Sequence, residues 1–162
     1  MTIKVGDRLP DSTFMTMGPD GAPKPTKTAE VFGGKRVALF AVPGAYTPTC
    51  HKQHMAGFVQ NYDELKSKKF DVVACTAVND VFVLTAWARD SKADGKIEML
   101  ADGSAEFAKK IGLDIDLNAR GLGTRSRRYS MIIEDGVVKS LNLEDAPPNH
   151  DKSSAATLCK LA

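Results

Sequence analysis

One stretch of the chain, Val37 to Met55, constrains the fold more than any other. It opens with an apolar run, Val37 to Val42, that is typical of a buried central strand. A Pro-Gly pair ends that strand. Thr47 and Pro48 then predict a helix start, with Thr47 as the N-cap and Pro48 at the first helical position. We therefore expect Cys50 in the first turn of a helix, directly beyond a core strand.

A cysteine in the first turn of a helix has two interpretations. The unpaired backbone N–H groups and the positive end of the helix dipole favour the thiolate, which is the nucleophilic form of cysteine. A free cysteine is equally often a small buried residue that packs like alanine. Placement alone leaves both interpretations open for Cys50.

Length and composition describe an ordinary globular chain. Its 162 residues predict a single domain, residues 1–162, and 43% hydrophobic residues are enough for a normal core. The formal net charge of +2 gives no reason to expect nucleic acid or an anionic membrane as a partner. No apolar run approaches transmembrane length.

The cysteine pattern argues against a disulfide framework and against a metal site. The chain has three cysteines, an odd number, and no C-x-x-C pair. Cys50, His51 and His54 could begin a metal site, but no second pair of ligands follows at a matching spacing. We therefore expect neither a metal nor another cofactor.

The N-terminus lacks the apolar run of a secretory signal peptide. With an odd number of cysteines, this favours a protein of a reducing compartment. We expect a cytoplasmic location, with the mature form of an organellar protein as the alternative.

The rest of the chain alternates between strand and helix patterns, with residues 1–36 irregular apart from a turn at Gly18–Gly21 between two short strands. The predicted strands after Val42 are Phe70–Val78, Ile97–Leu100, Arg127–Ile133 and Val137–Leu143. The predicted helices are His51–Lys68, a helix capped by Asn79-Asp80 that runs to Asp90, one from Asp102-Gly103-Ser104 to Gly112, and a final helix capped by Ser153 or Ser154. Asp135-Gly136 predicts a hairpin between the last two strands. This order indicates an α/β fold with a mixed sheet flanked by helices.

Several motifs resemble those of one enzyme family. Pro43, Thr47 and Cys50 form a P-x-x-x-T-x-x-C pattern that resembles the peroxidatic signature of the peroxiredoxins, and Val42–Cys50 resembles the type II, or Prx5-like, branch. Further matching stretches are Val78-Asn79-Asp80 with Ala86-Trp87, Ala101–Ser104 and Gly121–Tyr129. The resemblance runs from about Val5 to the C-terminal helix.

The resemblance implies a thioredoxin-like fold with N-terminal β additions and a thiol-dependent peroxidase. Such an enzyme reduces hydrogen peroxide and alkyl hydroperoxides through a cysteine that becomes a sulfenic acid. It is recycled by glutathione with glutaredoxin, or by thioredoxin, and serves antioxidant defence and redox signalling. A homodimer with its interface near the active-site loop, close to Tyr46 and Trp87, is also implied.

Five residues are the candidate site. Cys50 is the sulfur nucleophile, and the Thr47 hydroxyl is expected to reach either the Cys50 amide or the reacting oxygen. Pro43 would shield the site from water or simply end the strand. Arg128 is similar to the family's arginine and would open a strand beside the sulfur, whereas Arg125 and Arg127 are expected to be solvated or to contact partners. His54 follows one turn after Cys50 and is a candidate auxiliary residue, while His51 has no predicted role.

The fate of oxidised Cys50 stays open at this stage. Cys75 has the spacing that resembles the plant-type branch, in which the second cysteine is proposed to resolve, but its strand should bury it. Cys159 does not match the resolving position of animal-type relatives, which falls near Ser153-Ser154. We favour packing roles for both and reduction by an external thiol. The alternative to an enzyme is a redox-sensing or protein-binding module, which would be expected to lose Thr47, Cys50 or Arg128.

Overall fold

The computed structural model describes all residues, 1–162, and its elements alternate largely as the sequence predicts. The strands are β1 (Thr13–Met17), β2 (Pro23–Lys27), β3 (Arg36–Ala41), β4 (Val72–Ala77), β5 (Ile97–Ala101), β6 (Asp114–Asp116), β7 (Thr124–Ser126), β8 (Tyr129–Glu134) and β9 (Val137–Leu143). The α-helices are α1 (Thr28–Phe32), α2 (Ala56–Gln60), α3 (Tyr62–Ser67), α4 (Val81–Asp90), α5 (Glu106–Lys110) and α6 (Ala155–Leu161). A π-helix covers Cys50–Met55, and a 3₁₀ turn covers Asn118–Arg120.

The main sheet has seven strands in the order β2-β1-β5-β4-β3-β8-β9. Strands β3, β4 and β5 are parallel neighbours, whereas β1, β8 and β9 join antiparallel. The small strands β6 and β7 pair separately. The predicted mixed sheet is therefore confirmed, and the β1–β2 hairpin is the N-terminal addition at one edge.

Strand β3 lies near the middle of the sheet and is buried on both faces. Ala38 and Phe40 belong to one hydrophobic core, together with Cys50, while Val37 and Leu39 belong to the core on the opposite face. This explains why the strand reads as a continuous apolar run rather than as an alternation. It also places the carboxyl end of β3 between two packed layers, where the active-site loop begins.

The helix after Cys50 is fixed to this strand by aromatic packing. The rings of Phe40 and Phe58 stack with centroids 4.0 Å apart and an interplanar angle of 9°. Both side chains are fully buried. The Phe40 contact therefore sets the height of the helix above the sheet.

Two turns that the sequence predicts are confirmed. Gly18–Gly21 joins β1 to β2, and Asp135-Gly136 joins β8 to β9. In the second turn both central residues have positive φ, 48° and 76°, as a two-residue hairpin of type I′ requires. Glycine tolerates this conformation without a Cβ penalty.

Other predictions of local structure were wrong in detail. Within residues 1–36 the two expected short strands are present as β1 and β2, but the helix α1 was not predicted. The predicted helix His51–Lys68 is divided into a π-helix, α2 and α3. The division at Asn61 has a local cause, since its side-chain amide donates to the carbonyl of Gly57 at 2.8 Å, in competition with the backbone.

Side-chain hydrogen bonds identify the residues that cap two of the helices. Asp80 caps α4 by accepting from the amide of Val83 at 2.8 Å. Ser154, not Ser153, caps α6 by accepting from the amide of Thr157 at 3.2 Å. None of the helices combines the length and apolar character needed to cross a membrane.

Candidate active site

Cys50 lies where the sequence predicts, just beyond the carboxyl end of β3. The chain turns after Ala41, becomes helical at Pro48 and continues as the π-helix that begins at Cys50. No backbone carbonyl accepts the amide N–H of Cys50, as is usual in the first turn of a helix. The sulfur itself is fully buried.

The π-helix was not predicted, because no side-chain pattern distinguishes it from an α-helix. Its wider turns are rare in proteins and occur frequently at functional sites. Here the π-helix contains both Cys50 and His54. The first α-helical hydrogen bond of the segment runs from the amide of His51 to the carbonyl of Thr47 at 2.9 Å.

Arg128 provides the cation that contacts the sulfur. Its Nη2 donates to Sγ of Cys50 at 2.9 Å, and only 3% of the residue is exposed. Nε donates to the carbonyl oxygen of Pro147 at 2.9 Å, and Nη1 donates to Nδ1 of His54 at 3.1 Å. The sequence suggested that Arg128 would open a strand, but Arg128 directly precedes β8. The three contacts fix the guanidinium in a single orientation.

His54 connects the arginine to the C-terminal part of the chain. Because a guanidinium only donates, Nδ1 of His54 must accept from Arg128, and the ring proton therefore sits on Nε2. Nε2 then donates to the carbonyl of Ser153 at 2.9 Å. Burial, followed by the positive charge of Arg128, lowers the pKa of His54 to about 3. The ring is therefore neutral at physiological pH.

Thr47 behaves differently from a side-chain cap. Its hydroxyl donates to the carbonyl of Gly44 at 2.7 Å and does not bind the Cys50 amide. The bond closes the loop between the strand and the helix, and it leaves the lone pairs of the hydroxyl oxygen available as acceptors. Pro43 is buried in the same loop.

Arg125 and Arg127, which were expected to be solvated or to contact partners, are partly buried and hydrogen-bonded within the chain. Arg125 donates through Nε to the carbonyl of Leu122 at 2.7 Å, and its guanidinium lies against Gly44 in the active-site loop. Arg127 donates to the carbonyl of Glu144 at 3.1 Å. Arg125 thus packs on the loop that carries Thr47, a contact between distant segments that local sequence does not reveal.

His51, which had no predicted role, contacts Trp87. The indole N–H of Trp87 donates to Nδ1 of His51 at 2.9 Å. Trp87 is fully buried in the hydrophobic core. Tyr46 packs beside both rings, has a positive φ of 64°, and donates its hydroxyl to Asp90 at 2.6 Å. The turn that carries Cys50 is therefore braced from α4 as well.

The other two cysteines lie in structural positions. Cys75 is fully buried in β4, opposite Phe40 in β3, and burial raises the pKa of its thiol well above the ordinary value. Cys159 lies on α6 and is 4% exposed, and burial also raises the pKa of its thiol. All three cysteines are free thiols.

The sequence analysis did not find the groups that hold Arg128 in place, directly or through His54 and Ser153. They are the carbonyl of Pro147, the carbonyl of Ser153 and the carboxylate of Glu144 that binds Ser153. Two of these are backbone oxygens, which have no residue-type signal. The third is one acidic residue among many, and only the fold brings it near the site.

Comparisons with known proteins agree with this geometry. The model of the redoxin family matches residues 4–159. The chain is 48% identical over 147 residues to peroxiredoxin-2E, chloroplastic, of Arabidopsis thaliana, covering 89% of this chain and 63% of that protein. It is 40% identical over 142 residues to peroxiredoxin-2B of the same plant, covering 88% of each.

Solved structures give the same result. Reduced Prx3 from Vibrio vulnificus, in complex with hydrogen peroxide, is 43% identical with a TM-score of 0.93, and 99% of each chain is covered. Peroxiredoxin 5 from Alvinella pompejana is 32% identical with a TM-score of 0.84, covering 98% of this chain and 96% of that one.

The site and fold define a thioredoxin-like scaffold with a buried cysteine–arginine pair. The chain belongs to the redoxin family, and within it to the peroxiredoxins. It spans 63% and 66% of the length of the two chloroplastic relatives, from Arabidopsis thaliana and Oryza sativa, and 88% of peroxiredoxin-2B.

The neutral, buried His54 predicts a pH dependence of stability. Its pKa is about 3 in the folded chain, against an ordinary value of 6.5, so the unfolded chain binds the proton first as pH falls. The stabilisation is complete above pH 6.5 and is lost as pH falls toward 3. Between pH 7 and pH 5 the free energy of unfolding should fall by about 2 kcal/mol more in the wild type than in His54→Gln.

Urea unfolding at the two pH values measures this difference. Glutamine is the matched replacement, because it keeps one acceptor for Arg128 and one donor for Ser153 without a titrating ring. Equal pH dependence in the two proteins would contradict a neutral His54.

Proposed function

We propose that the chain is a thiol-dependent peroxidase that reduces hydrogen peroxide and alkyl hydroperoxides through Cys50. The observation that carries the proposal is the 2.9 Å contact from Nη2 of Arg128 to Sγ of Cys50 in a fully buried site. A guanidinium beside a sulfur favours the thiolate, which is the reactive form. A cysteine that only packs in the core has no need of a buried cation.

In the oxidative step the Cys50 thiolate attacks one oxygen of the peroxide. A sulfur–oxygen bond forms while the oxygen–oxygen bond breaks, and the leaving alkoxide or hydroxide takes up a proton to become an alcohol or water. Sulfur is oxidised to the sulfenic acid, and the peroxide is reduced by two electrons.

Each neighbouring group has a role in this step. Arg128 stabilises the thiolate and the negative charge that develops on the peroxide oxygens. The free amide of Cys50 can donate to the same oxygens, and the Thr47 hydroxyl oxygen can accept from the peroxide O–H, because its own proton is bound to Gly44. Pro43 has no N–H and excludes water from the sulfur.

In the reductive step we propose an external thiol. That thiol attacks the sulfenic sulfur, releases water and leaves a mixed disulfide on Cys50. A second thiol then attacks the mixed disulfide, restores the Cys50 thiolate and leaves as an oxidised disulfide. Glutathione with glutaredoxin, or thioredoxin, has the chemistry required for this step.

Two observations support an external reductant over an internal one. Cys75 is held within the central sheet, and its raised pKa keeps the thiol protonated and unreactive. Cys159 lies on the buried side of α6, and burial raises the pKa of its thiol as well. Because Cys50 is itself fully buried, its helical turn must open locally before a thiol of any kind can reach it.

We also propose a homodimer that uses the face beside the active-site loop. Tyr46, Phe82 and Met15 are large apolar residues that are exposed by 45%, 62% and 36%. Such residues are enriched at interfaces.

A cytoplasmic location stays a prediction, with an organellar location supported by the two relatives named chloroplastic.

Measuring the turnover of hydrogen peroxide distinguishes a thiol peroxidase from a redox-sensing module. Wild-type protein with a thiol reductant should consume hydrogen peroxide, and Cys50→Ser should abolish consumption. Arg128→Ala should slow Cys50 oxidation by about 10²–10³-fold, because an electrostatic donor to the reacting atoms is lost. Stopped-flow kinetics measures the rate, with Cys159→Ser as the control that should react normally. A single oxidation of Cys50 without turnover would support the sensor.

Mass spectrometry tests the external reductant. After one equivalent of peroxide and no reductant, Cys50 should carry a sulfenic acid. Added glutathione should convert it to a glutathione adduct, and Cys75→Ser should give the same products. A stoichiometric disulfide from Cys50 to Cys75 or to Cys159 would overturn this part of the proposal.

Sedimentation tests the dimer. At micromolar concentration the wild type should sediment as a dimer, and Phe82→Asp should shift it toward the monomer by placing a charge in the apolar face. Leu161→Asp, an exposed apolar residue at the end of α6, is the matched control that should stay dimeric. A wild type that sediments only as a monomer would rule out the interface.

A further inference from the structure

We propose that Glu144 is a positioning residue for the reaction, acting through Ser153 and His54 to hold Arg128 on the sulfur of Cys50. The kinetic part of this inference rests on the proposed peroxidase function. Its structural part, the orientation of Arg128 and the ring proton of His54, can be tested without turnover.

Glu144 is a buried residue that lies beside Arg128, just outside the sheet. It follows β9 directly, and its amide donates to the carbonyl of Arg128 at 3.0 Å. Only 3% of the residue is exposed. Burial of a carboxylate is costly unless hydrogen bonds compensate for the lost water, so the bonds that it makes are decisive.

Both compensating bonds come from one residue, Ser153. Oε1 of Glu144 accepts from the Ser153 amide at 2.7 Å and from its hydroxyl at 3.0 Å. The amide bond lies at the short end of the normal range for N–H···O hydrogen bonds. Ser153 is fully buried, and its carbonyl accepts from Nε2 of His54 at 2.9 Å. The carboxylate therefore fixes Ser153, the residue whose carbonyl orients His54.

The same bonds close the base of a loop, residues 145–152. Most of this loop is exposed, and its ion pair from Lys152 to Asp145 lies on the surface, where such pairs contribute little. Yet the loop provides the Pro147 carbonyl that accepts from Nε of Arg128. The Glu144–Ser153 pair is the buried polar contact that anchors the loop.

Two of the three contacts of Arg128 therefore depend on Glu144. Pro147 lies within the loop that the carboxylate closes, and His54 is oriented by the residue that it binds. Without the carboxylate, Nε and Nη1 lose fixed acceptors, and the guanidinium is free to rotate away from Sγ of Cys50. Glu144 contacts neither the sulfur nor the peroxide position, so its effect is on orientation.

The experiment compares Glu144→Ala with Glu144→Gln and with Asp145→Ala. Alanine removes the acceptor, and the rate of Cys50 oxidation by hydrogen peroxide should fall by about 10–100-fold, because a misplacement of a catalytic group by about 1 Å can slow a reaction by about 10²-fold. Glutamine keeps an oxygen at the same place and should restore the rate to within about threefold of the wild type. Asp145→Ala, in the adjacent exposed position, should react like the wild type.

A double-mutant cycle separates positioning from general destabilisation. In an Arg128→Ala background, Glu144→Ala should cause no further slowing, because the residue that it positions is gone. Nitrogen-15 NMR of the reduced protein provides a second readout. The wild type and Glu144→Gln should show a fixed His54 proton on Nε2, and Glu144→Ala should show exchange between the two ring nitrogens.

An unchanged oxidation rate in Glu144→Ala, or full additivity with Arg128→Ala, would overturn the inference. If Glu144→Ala does not fold, Ser153→Ala, which keeps the amide and the carbonyl, should still give a smaller slowing, and an unaltered rate there would overturn it. If the wild type does not react with peroxide, the proposed function fails. The NMR comparison then decides the positioning role by itself.

Discussion

The centre of this molecule depends on one interaction, the contact of a buried guanidinium with a buried sulfur. Removing Arg128 from water is costly, and a single sulfur partner cannot compensate for the loss of hydration. The rest of the guanidinium is accordingly bound by a carbonyl from the loop after β9 and by a neutral imidazole. A protonated ring at His54 would place two cations side by side, which is why burial and Arg128 together keep it neutral.

The sheet makes this arrangement possible because two neighbouring strands bring segments that are distant in the chain to the same end of the sheet. Strand β3 leads into the loop before Cys50, and β8, its antiparallel neighbour, is preceded directly by Arg128. Ala41 pairs with Tyr129, so the residues that follow one strand and precede the other lie side by side. The register of two central strands thus determines the distance from the arginine to the sulfur, and a slip of one residue would point Arg128 to the other face.

The architecture and the pair of Cys50 and Arg128 could be predicted from the sequence, but the groups that hold Arg128 in place could not. Cys50 follows from the strand-turn-helix pattern, and Arg128 from a family motif. Of the two partners expected for the Thr47 hydroxyl, the Cys50 amide was wrong, because the choice between the helix and the Gly44 carbonyl depends on loop conformation. The contributions of Pro147 and Ser153 are backbone oxygens, invisible to any residue pattern, and that of Glu144 depends on a fold that joins segments far apart in the chain.

The bracing of the Cys50 turn by Trp87 has an optical consequence. The chain contains one tryptophan, and its indole N–H is bound to the imidazole of the residue immediately after Cys50. Any event that unwinds this turn must break that bond and change the polarity around the indole. Selective excitation of tryptophan therefore reports on a single residue that is hydrogen-bonded to the turn that carries Cys50, so that opening and closing of the site can be followed in real time without a label.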